Sequence, residues 1–226
     1  MSGGRHDLWV FGYGSLMWRP GFPYREAHHA RLAGWRRCFC IYSVHHRGTT
    51  ARPGLVLGLD RGGACEGIAY RVAGEQAAET VRYLRAREQV NGVYREAHLP
   101  VDLIGDAHGV VTALTFIVER AHPNYAGQLP LHVQARLIRG AAGRSGNNLD
   151  YLVSTLRHLA ELGIRERELE RLLALIGPHA ARLPPCATGS PHAVAMVRLA
   201  RAQRPIRRAR LPRGDRRFLH RLRLTD

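Results

Sequence analysis

The chain has 226 residues, 45% of them hydrophobic, enough to bury the core of one sizeable domain. All 34 of its basic side chains are arginine, and they outnumber 18 acidic ones for a net charge of +16. No apolar run approaches the ~18 residues of a membrane-spanning helix. The polar start at residues 1–7 is unlike a secretory leader. The four cysteines form no Cys-x-x-Cys pair, which fits free thiols in a reducing cytoplasm.

Residues 8–13 are apolar and run into glycine, which predicts a strand, and residues 20–23 predict a turn. Residues 35–43, rich in aromatic and Cys side chains, predict a second strand. His46-Arg47-Gly48 opens a loop that Pro53-Gly54 closes. Residues 55–59 and 65–72 then predict a hairpin about the turn Arg61-Gly62-Gly63, completing a β-meander.

The first helix is expected over residues 75–86, with Ala78, Val81, Tyr83, Leu84 and Ala86 on its apolar face. Asn91-Gly92 marks a turn. Two more strands follow at residues 93–101 and 110–118, and the apolar run 113–118 fits a strand buried on both faces.

Beyond Pro123 the pattern becomes helical. Residues 131–140 predict one helix. Asn147 or Asn148 caps the next, at 149–162, with Gly163 as its stop. Its stripe is Leu149, Leu152, Val153, Leu156, Leu159 and Ala160. A last helix covers residues 165–176, ended by Gly177-Pro178. Strands first and helices late give an α+β class built on a mostly antiparallel sheet or barrel.

Residues 184–226 break all periodicity and read as an Arg/Pro-rich basic tail behind a domain at 1–183. From Arg198 on, eleven arginines face only Asp215 and Asp226. A polyanion contact and a solvated extension both fit such charge, and the solvated extension is favoured. Phe218 alone interleaves with these arginines, so base stacking on nucleic acid has little support.

Two features carry chemistry. Gly12-Tyr13-Gly14-Ser15-Leu16-Met17 follows a strand, and such a turn is either a plain tight turn or a cradle of main-chain N–H groups for a small anion. A phosphate loop is disfavoured, because no Lys-Ser/Thr follows and the spacing is wrong. Glu88 stands at the end of a helical pattern. It reads as a surface glutamate paired with Arg85 or Arg87, or as a general base whose burial brings its pKa towards neutrality. Spacing does not separate it from Glu75, Glu79 or Glu96. An anion cradle and one base are what an amine needs to attack an acyl group in its own molecule. Cys38-x-Cys40 on a strand reads as buried thiols rather than a metal site, and no Gly-x-Ser-x-Gly elbow is present.

Several ordered segments resemble the ChaC-type γ-glutamylcyclotransferases. They are Trp9-Val10-Phe11-Gly12-Tyr13-Gly14-Ser15-Leu16-Met17-Trp18, Gly34-Trp35-Arg36-Arg37, His46-Arg47-Gly48-Thr49, Arg52-Pro53-Gly54-Leu55-Val56 and Gly67-Ile68-Ala69-Tyr70-Arg71. Tyr83-Leu84-Arg85-Ala86-Arg87-Glu88, Asn91-Gly92-Val93-Tyr94 and the stretch from Ala141 to Leu152 continue the match. The likeness covers roughly residues 9–176 and leaves the tail out. It implies a small mixed β-barrel with helices packed around it and a helical C-terminal part. It implies cleavage of glutathione to 5-oxoproline and Cys-Gly, without metal or organic cofactor. By the same resemblance, Gly12, Tyr13, Gly14, Ser15, Leu16 and Met17 hold the γ-glutamyl end and Glu88 accepts the proton. His45 departs from the Asp common at that place in the family. The alternatives are a cyclotransferase of the same fold for γ-glutamyl amines or γ-glutamyl amino acids and, from another class, a nucleic-acid-binding protein acting through the tail. Oligomeric state is not readable, although a monomer is the simplest reading.

Overall fold

The computed structural model describes residues 6–177 except Val90 and Asp106. The boundary expected at residues 183/184 and the basic tail lie outside the described residues.

Five strands close into a barrel in the order β1-β3-β2-β4-β5. They are β1 (Leu8–Gly12), β2 (Glu26–Ser43), β3 (Gly54–Val72), β4 (Tyr94–Leu103) and β5 (Gly109–Val118). All neighbours are antiparallel except β1 and β5, whose parallel pairing of Trp9 with Ala113 and Val10 with Leu114 closes the ring. Closure removes the free edges that an open sheet would expose. Residues 113–118 of β5 are all buried, as their unbroken apolar run implies.

The expected hairpin at residues 55–72 is instead one strand. Its two halves pair with the same neighbour, from Ser43 against Gly54 to Glu26 against Arg71. Gly62 and Gly63, both with positive φ, oppose the single residue Gly34, so the glycines bend the ribbon without reversing it. A second irregularity leaves Cys40 as an extra residue between the pairs of Phe39 and Ile41. β2 also begins nine residues before the expected start. Its first half carries Glu26, His28, Ala30 and Leu32 on one side, too mixed a set to give an apolar alternation.

Helix α1 (Ala77–Glu88) follows β3. Helices α2 (Leu131–Gly140), α3 (Asn148–Glu161) and α4 (Arg167–Ile176) follow the barrel. Two deviations on α3 have physical causes. Val153 is exposed and Thr155 is buried, because the Thr155 hydroxyl returns to the Tyr151 carbonyl at 2.8 Å and can be buried without loss. Neither Asn147 nor Asn148 makes a side-chain cap. The Asn148 amide is spent on β3, accepting from Leu55 N at 2.6 Å and donating to Leu55 O at 2.7 Å.

That bond belongs to a knot that joins segments far apart in the chain. The two-residue strands β6 (Ala142–Gly143) and β7 (Gly146–Asn147) form a small hairpin before α3. Arg144 N donates to His45 O and Ser145 N to His46 O, both at 2.8 Å. A side chain on Gly54 would collide with Asn148 Oδ1 and the Arg47 carbonyl, so glycine is required there by close packing.

Candidate active site

Beyond the end of β1 the chain turns through Tyr13 and Gly14 into a single 3-10 turn, Ser15–Met17. The turn is fastened from behind. Tyr70 on β3 donates its hydroxyl to Met17 O at 2.7 Å and to Leu16 O at 3.1 Å. Arg37 on β2, itself buried, donates Nε to the Tyr13 carbonyl. Met17 N closes the 3-10 turn on Gly14 O at 2.9 Å. The N–H groups of Gly14, Ser15 and Leu16 make no hydrogen bond among the described residues. Unpaired N–H groups at the start of a helical turn are the elements of an anion site.

Tyr13, Gly14, Ser15 and Leu16 line a cleft, and Glu88 lines the same cleft from the last residue of α1. Helical spacing explains why Glu88 faces it. Thr80 and Leu84 are the buried residues of α1, and Glu88 continues that row at steps of four. Of the other carboxylates, Glu75 and Glu79 are exposed, and Glu96 is bound by Arg85 at 2.6 and 3.0 Å. None of these three lines the cleft.

Gly12 and Met17 do not line it either. Gly12 lets the turn fold back on β1, since a Cβ there would stand 2.9 Å from Leu16 Cβ. Met17 is buried, with its sulfur 3.7 Å from Arg37 Nη2.

The remaining wall is Leu57, Phe116, Tyr94 and Tyr151. Tyr94 donates to Leu57 O at 2.6 Å. Tyr151, from α3, stands edge-on to Phe39, and the Arg47 guanidinium lies 5.1 Å over its ring centroid. Burial pushes Tyr151 up to about 12 and raises Tyr13 and Tyr94 well above the ordinary tyrosine value. All three are neutral phenols near pH 7. Burial also raises Glu88, against the opposing pull of Arg87, whose Nε lies 3.0 Å from Glu88 Oε1. The cleft thus sets one carboxylate, tuned upward, among neutral hydroxyls and opposite free main-chain donors.

Tyr94, Leu57 and Phe116 went unassigned in the sequence, because only barrel closure decides which strand residues meet at one end, and Tyr151 joins them only through the docking of α3. Arg87 was legible only as an ion-pair partner. His45 is exposed and lies outside the cleft lining; its main chain anchors the knot. The ligand atoms of Cys38, Cys40 and Asp60 lie within 4.8 Å of one another. Burial favours a higher pKa for Asp60, but Tyr125, Arg120 and Arg61 N all donate to its carboxylate and hold it below the ordinary range. Both its oxygens are thereby engaged.

A five-stranded barrel with this cleft is the γ-glutamylcyclotransferase fold. The crystal structure of a glutathione-specific γ-glutamyl cyclotransferase from yeast aligns with a TM-score of 0.69 at 24% identity, covering 77% of this chain and 99% of that one. The model of the ChaC-like protein family matches residues 8–178, and the chain belongs to that family. A relative from Escherichia coli K12, named glutathione-specific γ-glutamylcyclotransferase, is 37% identical over 169 residues, 75% of this chain and 72% of its own. The human glutathione-specific γ-glutamylcyclotransferase 1 is 33% identical over 198 residues, 87% of this chain and 88% of its own.

Proposed function

We propose that this protein is a γ-glutamylcyclotransferase specific for glutathione, with Glu88 as its general base. The observation that carries the reading is that Glu88 and the Tyr13–Gly14–Ser15–Leu16 turn line one cleft. The names of the E. coli and human relatives supply the substrate.

The glutathione α-amino group is protonated near pH 7 and so is not a nucleophile. Glu88 takes one of its protons. The freed amine attacks the γ-carbonyl carbon and closes a five-membered ring. The carbonyl electron pair moves to oxygen, where the Ser15 and Leu16 N–H groups of the turn are the donors for the oxyanion. The intermediate collapses, the bond to the cysteinyl nitrogen breaks, and Glu88 returns its proton to that nitrogen. The ring nitrogen, cationic after the attack, gives up its extra proton through Glu88 to the new Cys-Gly amine, leaving a neutral lactam and an ammonium group. The products are 5-oxoproline and Cys-Gly, and no water is consumed. The attack is already internal to glutathione, so the turn's task is to align the amine with the carbonyl, and a positioned acid–base adds about 10²–10⁴ in rate. Tyr13, Gly14, Ser15 and Leu16 hold the γ-glutamyl end, while Gly12 and Met17 support them from behind.

We assign this chemistry to a domain at residues 1–183 and leave the basic tail at 184–226 outside it. No described helix is long and apolar enough to cross a membrane. The buried free thiols Cys38, Cys40 and Cys65 support a cytoplasmic setting. The test is to incubate the purified protein with glutathione, and separately with a γ-glutamyl amino acid, and to measure 5-oxoproline. Product from glutathione alone is expected. Product from neither substrate overturns the reading, and product from the amino-acid substrate alone replaces it with the broader cyclotransferase.

A further inference from the structure

Arg37 and Glu166 form a partly buried ion pair that the chemistry above leaves unused. The Arg37 side chain is fully enclosed, and Glu166, which precedes α4, is one-fifth exposed. Arg37 donates in three directions: Nη1 to Glu166 Oε1, Nη2 to the Glu66 carbonyl of β3, and Nε to the Tyr13 carbonyl. Isolated buried charges are costly, and an arginine held on three acceptors is fixed in one orientation.

The Tyr13 contact has a geometric consequence. A trans peptide is planar, and its C=O and N–H point to opposite sides. Arg37 does not line the cleft, and it draws the Tyr13 oxygen towards itself. The Gly14 N–H of the same peptide unit must then point the other way. Tyr13 and Gly14 both line the cleft, and that N–H makes no hydrogen bond among the described residues. Nothing within 4 Å would meet a Cβ built on Gly14, so open space adjoins the residue. A flip of this one peptide would swap the donor for a carbonyl oxygen and repel an anion.

We propose that Arg37, locked by Glu166, is a positioning residue that fixes the Tyr13–Gly14 peptide so that the Gly14 N–H serves as a donor to the substrate's anionic end. The inference rests on the cyclotransferase reading for the identity of that anion, but the peptide orientation can be tested without it. It also gives α4 a role in the site, 129 residues away in sequence from Arg37.

The test uses the full chain with Glu166→Gln, Arg37→Lys and Arg37→Met. Residual dipolar coupling of the Gly14 N–H, measured without ligand, reports the orientation of that bond. Turnover of glutathione gives KM and kcat separately, and thermal melts establish that each variant folds. In Glu166→Gln and Arg37→Met the Gly14 coupling should change, and KM should rise about 10–100-fold, the value of one charge-assisted hydrogen bond, with kcat less affected. Arg37→Lys, which keeps the charge but not the fork, should recover part of the loss. A folded Glu166→Gln variant whose Gly14 coupling or KM matches the parent overturns the proposal, and it carries the test if the Arg37 variants fail to fold. A parent chain that makes no 5-oxoproline sinks the cyclotransferase reading, while the coupling still decides on the clamp.

Discussion

The guanidinium of Arg87 donates from Nη2 to the Ser15 hydroxyl across 2.8 Å, joining the end of α1 to the turn that follows β1. The same side chain holds Glu88 through Nε at 3.0 Å and reaches the Arg19 carbonyl through Nη1 at 2.6 Å. One residue therefore ties the base to the cradle and sets the distance across which a substrate must fit.

Replacing Glu88 with Gln keeps the shape and removes the proton acceptor. Turnover should fall by at least the 10²–10⁴-fold that general acid–base help supplies. Binding of glutathione, measured by calorimetry on the inactive variant, should stay within a few-fold. Joint loss of binding and activity would assign Glu88 a structural role instead.

Loss of Arg87 should show in the pH profile. Burial raises Glu88 and Arg87 lowers it. Tyr13, Tyr94 and Tyr151 are the other titratable groups facing the cleft, and they stay neutral through the working range. Without Arg87 the opposing pull is gone, so the acid limb of kcat/KM should move to higher pH in Arg87→Met. Arg87→Lys should bring it part of the way back. A limb that does not move would mean that the ion pair does not tune the base.

The hydroxyl of Ser15 meets Arg87, and Ser15 belongs to the cradle. Ser15→Ala should therefore raise KM more than it lowers kcat, by about tenfold for one hydrogen bond to a charged group. Steady-state kinetics with glutathione decides it, and an unchanged KM counts against the cradle.

A stability consequence also follows for Glu88. Its folded pKa is raised above the unfolded value of ~4.3, so the folded state binds the proton more tightly. The protonated carboxyl carries no penalty, and stability drops as pH rises from about 4.3 through the folded value. Glu88→Gln should therefore melt higher than the parent at neutral pH, with the gap closing near pH ~4. Calorimetry at the two pH values checks it.

Asn148 should matter for folding rather than chemistry. Truncation to Ala leaves the buried Leu55 N–H and C=O without partners, a loss of about 2–5 kcal/mol in urea unfolding. Asn148→Asp should be no better, because a carboxylate cannot donate to Leu55 O.

Local rules made much of this molecule legible. β1 lies where an apolar run meets glycine, and α2 spans Leu131–Gly140 as its pattern implies. The buried stretch of β5 follows from its unbroken apolar run, and Gly163, at φ 70°, stops α3. The cradle and its candidate base are named through the family resemblance, because glycine spacing also fits a plain turn and the helical pattern does not separate Glu88 from Glu75, Glu79 or Glu96.

Tertiary structure decided the rest. Residues 55–72 form one strand because β2 pairs along their whole length, which no local turn signal records. Glu88 differs from Glu96 only because α1 docks through the row Thr80, Leu84, Glu88 while Arg85 takes Glu96 outside the cleft. Tyr94, Tyr151 and Arg37 join the turn from β4, α3 and β2, and their meeting depends on barrel closure and on the docking of α3 against it. Spacing along a chain fixes what neighbours do to one another. Which distant side chains share a cleft is set by packing, whose energy sums over many weak contacts and leaves no short pattern to read.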